Sequence, residues 1–144
     1  MKTLKLVALC LLLFPLAVFS DEEETSSRFG PGKAIEAFSE EDGFKMSPKA
    51  VSTLGVRFES VRGSGPWRIP KSSLIHIKQS TGVYRRYDGW ISMVLVKVVS
   101  QTSETALITS QDLEPNDEIA SHGVQFLRMT DADLNAGTVD TCAH

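Results

Sequence analysis

Cysteine is almost missing from this chain: of 144 residues, Cys10 and Cys142 alone carry a thiol. Cys10 lies inside an apolar N-terminal run, so a chain cut behind that run keeps Cys142 only, which excludes a disulfide within it. A surplus of positive charge is also missing. Lys and Arg number 15 against 18 Asp and Glu, a net charge of −3, which argues against nucleic-acid binding. There is no Gly-x-Ser-x-Gly elbow, so nothing marks a hydrolase nucleophile. The apolar run over residues 6–13 is too short to span a bilayer comfortably. Without a disulfide framework, stability has to come from a packed core.

What is present begins with a signal-peptide pattern. Lys2 and Lys5 precede the apolar run, Phe14, Pro15, Leu16 and Ala17 follow it, and small Ser20 stands before Asp21. Residues 1–20 are therefore expected to be removed, leaving no membrane span. Leu9 precedes Cys10 where a lipidation site wants a small residue, so lipidation is not expected. The cut removes two lysines and no acid, taking the net charge from −3 to −5. Residues 21–43 open on acids and continue through Ser, Gly and Pro, and read as a flexible acidic leader. Residues 131–144, polar and small with no sustained apolar period, read as a flexible tail. Between them, residues 44–130 form one small domain.

Inside that domain the spacing is of strand type. Leu54, Val56 and Phe58 alternate with Gly55, Arg57 and Glu59. Gly63-Ser64-Gly65-Pro66 is a tight link, and Trp67 and Ile69 before Pro70 suit a strand edge or a strand start, because proline donates no ladder bond. Residues 74–77 and 106–109 are further short strands. The strongest local signal is Asp88-Gly89 between residues 83–87 and 90–99, both rich in β-branched and aromatic side chains, which predicts a hairpin with a two-residue turn. Its second strand is apolar on both faces up to Lys97 and should be central. Asn116 marks a turn before residues 119–121, and residues 124–129 suit a short C-terminal helical turn. The whole predicts a mainly all-β fold, a small β-barrel or β-roll, because closure removes exposed edges.

The order Ile69-Pro70-Lys71-Ser72-Ser73-Leu74-Ile75, Gly82-Val83-Tyr84, Val96-Lys97-Val98, Leu113-Glu114-Pro115-Asn116-Asp117-Glu118-Ile119 and Gly123 resembles the membrane-proximal domain of periplasmic adaptor subunits (membrane fusion proteins, HlyD-like) of resistance-nodulation-division efflux pumps. Phe44-Lys45-Met46-Ser47-Pro48 with Leu54-Gly55-Val56 is similar to the start of metal-exporting adaptors. Ser73 and Asn116 depart from the family's alanine and glycine, and Gln111-Asp112 stands where one glycine is usual. Where a full adaptor inserts a lipoyl-like domain, a helical hairpin and a β-barrel, this chain has Gly63-Ser64-Gly65-Pro66. The resemblance implies a periplasmic, non-enzymatic interaction protein. It would dock on or modulate an inner-membrane efflux transporter, or a full-length adaptor, without bridging two membranes.

The remaining chemistry is sparse. Ser72, Ser73, His76 and Asp88 have the residue types of a hydrolase without its spacing, and no enzyme activity is expected. His76 alternates with Ile75 and Ile77 and reads as a surface side chain. Arg85-Arg86 and the acids at 21–24 read as solvated faces. Cys142 and His144 offer a thiolate and an imidazole two residues apart, a pair for copper or zinc in an alternative role as a periplasmic metal-binding protein, although a closed zinc site needs four ligands. A remnant with no present role is the other alternative. Under the docking reading, Trp67 and Trp90 are candidate interface contacts, although Trp90 beside the turn reads as a cross-strand packing residue rather than an anchor.

Overall fold

The computed structural model describes residues 28–139. In chain order the elements are β1 (Ile35–Ser39), β2 (Gly43–Met46), α1 (Pro48–Thr53), β3 (Arg57–Ser60), β4 (Trp67–Pro70), a 3-10 turn (Lys71–Ser73), β5 (Ile75–Ile77), β6 (Ser80–Tyr87), β7 (Trp90–Gln101), β8 (Thr105–Thr109), β9 (Glu118–His122) and α2 (Val124–Val139).

The fold grows from the β6–β7 hairpin. Asp88 and Gly89 sit at φ 48° and 78°, the left-handed pair that a two-residue turn requires. From Tyr87 opposite Trp90 the register runs unbroken to Thr81 opposite Val96. β7 is central, as its composition predicts: it pairs with β6 and also with β2 at Ile91 and with β8 from Lys97 onward. β9 flanks β6 and carries β3, while β4 hangs on β8. Pro70 thus ends an edge strand, where its missing N–H costs no ladder bond.

Alternation along these strands sends side chains into two cores on opposite faces of one sheet. Phe44, Tyr84, Ile91 and Ala120 meet Val124, Leu127 and Leu134 of α2 on one face. Val83, Val94 and Ile119 meet Trp67 and Ile69 of β4 and Ala106 and Ile108 of β8 on the other. Burial on both faces of β7 stops earlier than expected, since Leu95 is exposed.

The mainly β class agrees with the sequence; closure does not. β3 and β4, joined by the link over residues 61–66, pair with β9 and β8 and not with each other, so the sheet stays open. Val61 and Trp67 fill that junction with side chains, and the Trp67 indole N–H donates to the Gly63 carbonyl at 3.0 Å.

Three boundaries differ from the sequence reading. Leu54 and Gly55 end a helix rather than start a strand. Ser47 caps α1 by accepting from the Ala50 N–H at 3.2 Å, and Gly55, at φ +63°, closes it. The N–H groups of Gly55 and Val56 bond back to Ser52 and Val51 at 3.1 and 3.0 Å, the paired bonds of a Schellman ending. The alternation still holds beyond it, with Val56 buried and Arg57 and Glu59 exposed.

Order also begins inside the expected leader of residues 21–43, because β1 pairs with β2 and sets Ile35 and Phe38 against the first core. A register shift between Ile35 and Ala37 breaks the period of two and hides this strand from a pattern search.

The tail expected from 131 is helical to Val139 instead. Its core stripe runs through 124, 127, 131 and 134, and Asp131 interrupts the apolar pattern. Tyr84 makes that substitution tolerable: its hydroxyl donates to Asp131 Oδ2 at 2.9 Å. Leu134 one turn on is 4% exposed.

Candidate interaction site

The residues singled out for chemistry do not converge. Cys142 and His144 lie outside the described residues. His76 is exposed on β5, its Nδ1 3.2 Å from the Thr81 hydroxyl on the paired strand. Asp88 is in the hairpin turn. Ser72 Oγ donates to the Ser121 carbonyl at 3.1 Å, while Ser73 is fully buried with no hydrogen-bond partner for its Oγ. Sequence reading missed a Ser–His contact, Ser121 Oγ to His122 Nδ1 at 3.1 Å. Ser121 is 1% exposed, and its Oγ also lies 3.5 Å from the Arg57 carbonyl across the β3–β9 junction. Among the described residues, no group of three or more His, Cys, Asp or Glu is placed to hold a metal ion.

Arg85 and Arg86, expected as solvated faces, are clamps. Neighbours on a strand point to opposite faces, and each finds an acid. Arg86 makes a two-pronged bond to Glu118, Nε to Oε2 at 2.8 Å and Nη2 to Oε1 at 3.0 Å, with its guanidinium 4.1 Å above the Phe58 ring. That hydrogen bonding holds the Glu118 carboxyl below its ordinary range, against partial burial, which pushes it up. Arg85 donates to the Asp112 carbonyl at 2.7 Å and stands 3.6 Å from the carboxylate of Asp117. Asp117 is 5% exposed and accepts from the Glu114 N–H at 2.9 Å. This closes the turn in which Asn116 takes φ +75°. The two arginines tie β6 to the β8–β9 connection and to β9, and neither is a free cation offered to a ligand.

Neither tryptophan is a bare anchor. Trp67 is core, and the half-buried Trp90 carries the Lys45 ammonium 4.9 Å over its ring. The exposed apolar side chains are others. Phe126 and Met129, 45% and 68% exposed, stand one turn apart on α2. Phe126 borders a groove of 680 Å³ between α2 and the 3-10 turn, lined also by Ser72, Leu74 and His122. Sequence could not pick these two from residues 124–129, because the docking of Val124, Leu127 and Leu134 decides which side faces outward. Among the described residues, no helix is long and apolar enough to cross a membrane.

Comparison with protein-family models, with curated proteins and with solved structures gives no match.

Proposed function

We propose that this chain is an exported, non-enzymatic interaction protein of an efflux assembly, built like the membrane-proximal domain of a periplasmic adaptor and docking on an inner-membrane transporter or on a full-length adaptor. One observation carries the reading. The segment before Gly63-Ser64-Gly65-Pro66 and the segment after it share one sheet and one core: β3 is laid on β9, and Val61 packs in the same cluster as Trp67 and Ile119. A domain that the resembled family assembles from two distant pieces of chain should be able to fold when a short link joins them. Phe126 and Met129 supply exposed apolar contacts of the kind interfaces use.

The test is cross-linking of a tagged copy in cells, followed by identification of the captured proteins. Recovery of an inner-membrane efflux transporter or a full-length adaptor is the expected result. Recovery of neither, with the tagged chain exported and folded, overturns the proposal.

A further inference from the structure

The β6–β7 hairpin fixes which edge of β7 each backbone group faces. In a two-residue hairpin the residues flanking the turn exchange both hydrogen bonds, so Trp90, Ser92, Val94 and Val96 turn their N–H and C=O toward β6. Ile91, Met93 and Leu95 turn theirs to the opposite edge. β2 meets that edge at Ile91 alone, and β8 joins it from Lys97. Between the two, among the described residues, the register gives Met93 N–H, Met93 C=O and Leu95 N–H no ladder partner on that edge, and no backbone bond outside the ladders reaches them.

The gap has identifiable causes on both sides. β2 stops at Gly43, where φ is +93° and a Cβ would run into the Ile91 carbonyl. Before it the chain is drawn into a turn in which Ser39 Oγ accepts from the N–H groups of Glu41 and Asp42 at 3.3 and 3.2 Å. On the other side Ser110 replaces the ladder with its side chain, Oγ donating to the Leu95 carbonyl at 2.8 Å, and the chain veers away. What remains is an open notch in the middle of the longest strand, bordered by Glu41, Gln111, Asp112 and Glu114. Arg85 also borders it, with its guanidinium engaged by the Asp112 carbonyl and Asp117.

We propose that this notch is a strand-addition site for a short extended segment of a partner protein bearing Lys or Arg. An unpaired strand edge is a template for main-chain pairing, and such pairing gives affinity while the flanking side chains give selectivity. The Met93 groups can pair with one residue of the incoming segment and Leu95 N–H with a carbonyl of it, so about three residues fit before both ends must leave the sheet. The three carboxylates at the rim choose a cationic segment over an anionic one. The site rests on backbone geometry and rim charge, and it stands or falls separately from the efflux reading.

The probe is a capped lysine-valine alternating hexapeptide, compared with its glutamate-valine counterpart, titrated onto the full chain while amide hydrogen exchange is followed at single residues. In the free protein the amides of Met93 and Leu95 should exchange fast for a central strand, and the lysine peptide should slow them while the glutamate peptide does not. Glu41→Lys with Glu114→Lys, both at exposed positions, should weaken the lysine peptide by about tenfold or more with the fold unchanged. Amides already protected in the free protein, equal protection by both peptides, or no effect of the double substitution would each overturn the assignment.

Discussion

The Tyr84 phenol is raised well above its ordinary range, first by burial and then by the charge and hydrogen bond of Asp131, so it stays protonated and donates at any physiological pH. Asp131 in turn accepts from Asn135 Nδ2 at 2.9 Å, so a polar chain runs from the strand into the helix. Tyr84→Phe keeps the ring and removes one donor. Because Asp131 is half-buried and can recover a water, the cost should sit near the usual net value of a hydrogen bond, about 1 kcal/mol, seen as a lower urea midpoint at unchanged slope. A neutral result would mean that this hydrogen bond adds nothing to the hold of the helix on the sheet.

At the scale of elements, α2 is the layer that covers one face of the sheet, and among the described residues its buried apolar contacts come from Val124, Leu127 and, farthest along the chain, Leu134. Leu134→Ala should cost about 2–3 kcal/mol and speed amide exchange in the second half of α2, whereas Phe126→Ala, on the exposed side, should leave stability within about 0.5 kcal/mol. β6 and β9 are joined by the Arg86–Glu118 pair. Glu118 ionises more readily folded than unfolded, so its contribution is present above the ordinary glutamate value of 4.5 and is lost as pH falls through the lowered folded value. Between neutral pH and pH 3, Glu118→Gln should therefore lose less stability than the parent chain does. An identical acid profile for the two would remove Glu118 from the acid response.

For the whole molecule, the decisive feature is that one sheet separates two cores. Val83 and Tyr84, adjacent on β6, belong to different clusters, and so do Ile119 and Ala120 on β9. Neither core can be exposed without disturbing strands that the other needs. Urea unfolding of a Trp90→Phe variant followed by tryptophan fluorescence, reporting Trp67 in one core, should therefore coincide with unfolding followed by far-ultraviolet circular dichroism, which includes α2 over the other. Two separated transitions would show that the faces unfold independently. The open notch at Met93 and the apolar pair Phe126 and Met129 lie on different elements, so substitutions at one can be tested without disturbing the other.

Short-range chemistry made much of this protein legible from its sequence alone. Asp88-Gly89, Asn116, Pro70 and the alternation from Val56 to Glu59 act through steric and hydrogen-bonding preferences that operate within a few residues, and each stands where those preferences put it. Tertiary structure decided the rest, because it depends on partners dozens of positions away. Asp131 is acceptable in a buried helix stripe since Tyr84 is beneath it, and the register shift that hides β1 is tolerated because β2 pairs around it. Arg85 and Arg86 became clamps when the chain returned past them at Asp117 and Glu118. The unpaired edge at Met93 exists because a turn held by Ser39 and a side-chain bond from Ser110 divert two strands from the same line, a coincidence in space that no local pattern records.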